Sequence, residues 1–294
     1  MSTSDRLLAV LGLFTIEQPE WTVEAGAKQL GLAVSTAYRY FRSLSGAGLI
    51  ITFSTGRYVL GPAITQYDRQ MRLLDPLITN ALPTMKRLAE LAPPRTVILL
   101  CRLYRNQVMC VHQEFAERPD FAVSYERGRP MPLFRGASSK IILAHMGSRA
   151  VKALYAHFHA EMVRFGLGAS WGEVKQRLRE LRTAGVAITQ AELDPGMTGI
   201  AAPVLAAEGT VVGSISMAIP VKARTRESVA QMVELLRDAG KEMHWALSVL
   251  AAGYDAKSSQ IPLRSARGSE VRSARHGQRS RIHGKPRGTK HSRK

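Results

Sequence analysis

"LAVSTAYRYFRSL", residues 32–44, carries two patterns in one short stretch. Ala37, Phe41, Leu44 and the following Gly48 step by 4, 3 and 4 residues, the spacing that gathers small and apolar groups on one face of a helix. Thr36, Tyr38, Arg39 and Arg42 then turn away from that face, and Ser35 is placed to cap it. Such an outward side is either the solvated face of an ordinary amphipathic helix or a surface built to touch a polyanion. The flanking sequence decides between them. Upstream, "SDRLLAVLGLF" puts Leu7, Leu8, Leu11 and Phe14 on one helical face, and "VEAGAKQL" follows Thr22, a good N-cap, and stops at Gly31. Downstream, "LIITFSTGRYVLG" is two β-rich runs around Ser54-Thr55-Gly56, a hairpin by its turn chemistry. Three helices, a turn of four to five residues before the third, and a hairpin make a winged helix-turn-helix over residues 1–61. Residues 32–44 are its reader, and Arg57 sits at the wing tip.

Beyond it, residues 62–92 read as a helical connector that restarts near Pro76 and Pro83. The pattern changes at Arg95. "TVILLCRL" and "QVMCVHQEF" are strand-like around a turn at Arg105-Asn106, and helical segments follow near 137–146, 149–160 and 171–184. "GVAITQ", "GIAAPVLA" and "TVVGSISMAI" are strands, the last two joined by a turn at Glu208-Gly209, and an amphipathic helix closes the region from about Thr225 to Ala251. This order predicts an antiparallel sheet flanked by helices, an α+β domain over 93–252 able to enclose a ligand. Residues 253–294 are rich in Ser, Arg, Gly and His, with too few apolar groups to offset chain entropy, and are expected to be disordered.

The net charge of +18 over 294 residues is unevenly placed. The segment 253–294 holds 12 Lys and Arg against Asp255 and Glu270, whereas residues 1–70 carry six basic and five acidic residues. The charge therefore belongs mostly to the tail, where it would attract phosphates without reading sequence. A nearly neutral reader domain gains grip by doubling its contacts in a dimer on two half-sites. No run of 18 apolar residues occurs, so no membrane partner is expected, and the N-terminus does not read as a secretory signal. Cys101 and Cys110 read as reduced core residues of a cytoplasmic protein. Metal and nucleotide signatures of the CxxC, HExxH, GxGxxG and GxxxxGK[ST] kinds are missing, and no cofactor is expected. Ser138, Ser139 and Lys140 invite a Ser-Lys nucleophile reading, but neighbours on a helix point in different directions and the S-x-x-K spacing is absent. His112, His145, His157 and His159 are scattered, and the last two read as surface residues rather than metal ligands. No enzyme is expected.

Ordered motifs in both domains resemble the IclR-type family of bacterial transcriptional regulators, over residues 4–251. "LGLAVSTAYRYFRSLSGAGLI" is similar to the family pattern L-G-L-P-K-S-T-x-x-R-L-L-x-x-L-x-x-x-G-Y, and "GRYVLGP" to its wing strand. "MPLFRGASSKIILA" matches L-P-L-H-A-T-A-x-G-K-A-L-L-A at Pro132, Leu133, Lys140 and Leu143. "ELDPGMTGIAAPVL" and "GSISMAIP" fit E-x-x-x-G-x-x-C-I-A-A-P-V and S-I-S-x-x-x-P. The departures are Val34 for a Lys, Gly26 for a Leu in the second helix, Phe134 for a His, Arg135 for a small residue and Gly199 for a Cys.

The resemblance implies an operator-binding regulator, dimeric or tetrameric, under the control of a small effector. In the DNA-binding role Arg39 would read bases, Thr36 and Tyr38 would contact bases or backbone, and Arg42, the Ser35 end of the helix and Arg57 would hold phosphates or the adjacent groove. For the effector the resemblance implies a pocket lined by Arg135, Ala137, Ser138, Thr189, Gly199 and Ser216. Hydroxyls, helix N–H groups and Arg135 together would suit a small carboxylic acid, aromatic if Phe134 faces it. Two other functions stay open at this point. One is a metabolite sensor that no longer grips DNA, favoured by Val34 and Gly26; the other is non-specific nucleic-acid binding through the tail.

Overall fold

The computed structural model describes residues 2–119, 123–223 and 225–258. Its amino-terminal part is built from α1 (Thr3–Leu11), α2 (Val23–Leu30), α3 (Val34–Gly46) and a hairpin of β1 (Ile50–Ser54) and β2 (Arg57–Leu60). Thr22 caps α2 by accepting from the Ala25 N–H at 3.2 Å, and Gly31 ends it in the left-handed conformation, with φ +63°. Residues 31–33 alone turn the chain into α3, one or two fewer than expected. Trp21 pairs with Tyr58 through two backbone hydrogen bonds of 3.0 and 2.8 Å, and its indole N–H donates to the Leu13 carbonyl at 2.8 Å. The wing is thereby tied to the helices. Phe41 is wholly buried among them and meets the Tyr58 ring edge-on, with centroids 5.1 Å apart.

Three details depart from the spacing argument. Ser35 is not the cap of α3: the helix starts two residues earlier than such a cap requires, Ala33 occupies the cap position without a side-chain bond, and Ser35 lies exposed in the first turn. On α1, Leu8 is 58% exposed, while Val10, with Leu13 just beyond the helix, faces the core beside Leu7, Leu11 and Phe14. Gly48 is not a core position; its φ of +70° lets the chain leave α3 toward β1. Gly26 also has a physical reason. A Cβ there would lie 3.0 Å from Phe41 Cζ and 3.3 Å from Leu13 Cδ1. Where the family pattern has two leucines, this chain sets a glycine against a phenylalanine.

The expected connector is two helices of different character. α4 (Pro62–Leu74) buries no residue, whereas α5 (Pro76–Leu91) buries Leu77, Ile78, Ala81, Met85 and Leu88 against the sheet. The break comes at Asp75, extended at ψ 119°, whose carboxylate caps α5 at the Leu77 N–H (2.8 Å) and pairs with Arg102 (2.7 Å). Pro83 interrupts nothing, lying inside α5.

The carboxy-terminal part centres on β3 (Val97–Tyr104), β4 (Gln107–Phe115), β5 (Pro130–Pro132), β6 (Ala187–Gln190), β7 (Met197–Leu205) and β8 (Val211–Pro220), with α6 (Ala137–His145), α7 (Ser148–Arg164), α8 (Trp171–Ala184) and α9 (Arg226–Ser258). The six strands form one antiparallel sheet in the order β5-β4-β3-β8-β7-β6. The three-residue β5 is too short for any sequence pattern to announce. Alternation along β3 separates two cores: Val97, Leu99 and Cys101 face α6, α7 and α8, while Ile98 and Leu100 face α5 and α9. On the α6 side, β7 and β8 offer mostly small residues, Gly199, Ala201, Ser214, Ser216 and Ala218 among them. That is where a cavity opens. Cys101 and Cys110 are buried, unbridged partners across β3 and β4. Helix α9 runs on to Ser258, past the expected end near Ala251, so residues 253–258 of the tail expected to be disordered are helical, and residues 259–294 lie outside the described residues.

Candidate nucleic-acid face and ligand cavity

On α3, Ser35, Tyr38, Arg39 and Arg42 are exposed and Thr36 is half-buried, while Ala37, Tyr40, Phe41 and Leu44 fill the core. Tyr38 keeps 55% of its surface free, so it does not pack against a neighbouring helix. The N–H groups of Thr36 and Ala37 both reach the Ala33 carbonyl, which leaves those of Val34 and Ser35 pointing out of the helix start, where the dipole favours an anion. Arg39 and Arg42 enter no ion pair among the described residues, whereas Arg57 on the wing is held 3.3 Å from Glu20. All six residues assigned to DNA contact thus lie on α3 or the wing.

Of the six assigned to the effector, Ala137, Ser138, Thr189, Gly199 and Ser216 line one narrow cavity of about 40 Å³ between the start of α6 and the sheet. Ser138 and Ser216 hydroxyls are 2.8 Å apart, and Thr189 pairs in register with Gly199. A Cβ on Gly199 would come within 3.1 Å of Thr189 Oγ1 and 3.3 Å of the Ala137 Cβ, so α6 and β6 close tightly on the position where the family pattern has a Cys. Lysine 140 and Ser139 point elsewhere: Ser139 bonds Tyr125 (2.7 Å) and Lys140 reaches Glu192 (2.5 Å). The three adjacent polar residues therefore face three different partners, and no nucleophile-base pair forms. Arg135 is a correction to the expected set. Its guanidinium lies outside the lining, donating to the carbonyls of Glu192 (2.5 Å) and Leu193 (3.5 Å) and lying over the Phe165 ring. Phe134 is buried against Phe158, with centroids 5.2 Å apart, and does not line the cavity either.

Several lining residues went unassigned on the sequence. Tyr125, Glu192, Leu193 and Asp194 close the cavity from two loops. Ser124 holds Asp194 through its N–H (3.0 Å to either carboxylate oxygen) and its hydroxyl (2.6 Å). Burial pushes the Tyr125 phenol far above its ordinary pKa, so it stays neutral beside Ser139. The one sequence signal for this wall was that Lys140 and Glu192 stand at fixed charged positions of two matched motifs. On α6, Gly136 N–H donates to Glu192 (3.0 Å) and Ser139 N–H to Tyr125 (3.2 Å), which leaves the Ala137 and Ser138 N–H groups with no acceptor among the described residues. Both residues line the cavity. The arrangement offers hydrogen-bond donors to an oxyanion. Among the described residues, no helix is long and apolar enough to cross a membrane and no cluster of His, Cys, Asp and Glu is placed to hold a metal. His157 and His159 each turn to a backbone carbonyl, of Ala153 and Ala169, at 2.8 Å.

Comparison with known proteins agrees with this architecture. Residues 74–245 match the family model described as bacterial transcriptional regulator IclR C-terminal, and residues 3–51 match the IclR helix-turn-helix domain. The chain is 22% identical to the HTH-type transcriptional regulator BhcR of Paracoccus denitrificans over 83% of its own length and 86% of the relative's. It is 23% identical to XynR of Escherichia coli, again an HTH-type regulator, over 83% of this chain and 96% of that one. Among solved structures, an IclR-type regulator of a Silicibacter species shares the fold with a TM-score of 0.69 at 18% identity, over 84% of this chain and 96% of the other. An IclR homologue of Microbacterium hydrocarbonoxydans, solved with 4-hydroxybenzoate, gives 0.64 at 20% identity, over 84% of this chain and all of the other.

Proposed function

This chain belongs to the IclR family of bacterial transcriptional regulators, a DNA-binding family and not one of enzymes, and from that premise we propose that it reads a specific operator, as repressor or activator, under the control of a small organic acid. The observation that carries the effector half is the cavity at the start of α6, where the Ala137 and Ser138 N–H groups and the Ser138, Thr189 and Ser216 hydroxyls converge on one space. Two unpaired helix N–H groups and the dipole behind them favour an anionic ligand. The 4-hydroxybenzoate held by the Microbacterium homologue supports the same class, including an aromatic member. A space of about 40 Å³ holds a few waters and no benzoate ring, so binding requires the wall to move. Arg135 then acts on the wall and not as the clamp itself.

For the DNA half, Arg39 is the base reader, with Thr36 and Tyr38 beside it and Ser35, Arg42 and Arg57 on phosphates or the adjacent groove. Ile64, Tyr67, Met71 and Leu74 repeat along α4 at the 3-4-3 spacing of a coiled-coil seam, and all four are exposed. That stripe supports a homodimer, or a homotetramer built from it, acting in the cytoplasm. Arg127 joins the two halves: its guanidinium pairs with Asp68 on α4, and its Nε donates to the Val111 carbonyl at 2.8 Å. Effector binding would act through α4 on the separation of two reader helices, and operator DNA must alter effector affinity by the same factor.

The test is fluorescence anisotropy on the intergenic duplex upstream of this protein's own gene, at about 0.15 M salt with excess random duplex. Binding that survives the competitor, and shifts when an organic acid is added, is the expected result. Binding that the competitor erases sinks the specific reading and points to the basic tail or to a sensor without a reader. Arg39→Ala should relax base preference at one position per half-site, a loss of about 1–3 kcal/mol of discrimination. Unchanged preference would exclude Arg39 as reader.

A further inference from the structure

One wall of the effector cavity is residues 191–194, and it is held from both sides. Ala191 bends the chain at φ +52°, a conformation a side chain rarely adopts. Arg135 grips the carbonyls of Glu192 and Leu193, and Ser124 grips the Asp194 carboxylate. Between those grips Glu192 turns inward onto the start of α6. One of its oxygens accepts from the Gly136 N–H at 3.0 Å, and the other meets the Lys140 ammonium at 2.5 Å. Lys140 is only 8% exposed, and its other partner is the Phe165 carbonyl at 2.7 Å. A helix N–H, a helix dipole and a buried ammonium make an anion site, and the chain's own carboxylate fills it.

Resting on the reading of this cavity as the effector site, we propose that Glu192 is an internal stand-in for the ligand: the effector's carboxylate takes its place between Gly136 N–H and Lys140 Nζ, and residues 191–194 swing away with Glu192. A buried ammonium cannot be left alone without a large penalty, so the exchange has to be carboxylate for carboxylate. Charge and hydrogen bonds are the same before and after, which keeps the closed and liganded states close in energy. A modest ligand affinity can then tip the balance. The same exchange makes room, because the side chain of Leu193, seated directly over Gly136, leaves with its neighbour. The ligand class is accordingly a carboxylate. Amides and alcohols of the same shape are excluded by Lys140.

Chemical complementation tests this on the full chain. Glu192→Ala removes an acetate-sized fragment, and acetate is the probe. The variant should melt below the unsubstituted protein and regain about 3 °C or more in tens of millimolar acetate. Sodium chloride at equal ionic strength, and acetamide, should return nothing, and neither should acetate given to Glu192→Ala/Lys140→Met. A variant indifferent to acetate, or one rescued equally without Lys140, overturns the exchange. Should Glu192→Ala not fold, Glu192→Gln sets an amide against Lys140 that acetate should displace; it should still melt higher in acetate than in chloride, if by less, and no gain there overturns the proposal too. Operator affinity measured in the same buffers separates the two ideas. Rescue with operator affinity unmoved upholds the exchange and sinks the effector reading, whereas acids that shift operator binding in a protein acetate never rescues do the reverse.

Discussion

Phe41 and Gly26 show why single positions of this chain resist reading in isolation. Gly26 alone signals a weak helix, since glycine in a helix interior costs about 1 kcal/mol relative to alanine. With Phe41 pressed against it, any side chain at position 26 would force the ring to give way. Gly26→Leu should destabilise the DNA-binding part by about 1–3 kcal/mol, and Gly26→Leu/Phe41→Leu should recover most of that loss. Melting curves of the two variants decide it; equal losses would mean the ring is not what excludes the side chain. His145 makes a second prediction. Burial holds its pKa below the ordinary imidazole value, with Arg182 adding to the effect, and its Nδ1 sits 2.9 Å from the Ile141 carbonyl. A depressed folded value means the unfolded chain takes the proton first as pH falls through about 6.5. The contribution of His145 is therefore complete above that pH and lost below it. Between pH 7 and 5.5 the melting temperature should fall more steeply in the unsubstituted protein than in His145→Asn, and parallel profiles would remove His145 from the account.

At the scale of elements, helices and strands were legible where the pattern is local. Caps such as Thr22 and Gly31, the turn at Thr55-Gly56 and the alternation of β3 announce themselves within a few residues. Five of the six assigned effector residues also meet in one cavity, because the resemblance supplied long-range information that no periodicity holds. The wall made by Tyr125, Glu192 and Asp194 was not legible. It depends on ion pairs and hydrogen bonds between segments more than 50 residues apart, Lys140–Glu192 and Ser124–Asp194, which leave no local trace. Arg135 misled for a related reason: an arginine beside a helix start fits an anion clamp equally well whether its donors meet a ligand or a backbone carbonyl. The loop that carries Ser124 and Tyr125 also carries Arg127, whose contact holds the Asp68 carboxyl below its usual range, with Arg72 assisting at 2.9 Å. Asp68→Asn should leave effector affinity unchanged while the ratio of operator affinities with and without effector falls toward one. An unaltered ratio would place the coupling elsewhere.

For the whole molecule, assembly and architecture answer to one helix. α4 buries none of its residues, yet carries four exposed apolar residues in register. Met71→Glu, in the middle of that stripe, should convert the proposed dimer to monomer at micromolar concentration in sedimentation velocity and weaken operator binding with it. A dimer that persists would put the subunit contact on another face. The extended residue at Asp75 then has a mechanical consequence. It separates a DNA-facing arm from a body anchored by α5, so the arm is jointed and the Arg127–Asp68 pair is its stay. With the stay intact the arm has a preferred set; with it released, swivel at the joint should let one regulator straddle half-sites whose spacing differs by a base pair. Tolerance for imperfect operators would then be a property of the hinge and not of the fingers that read them.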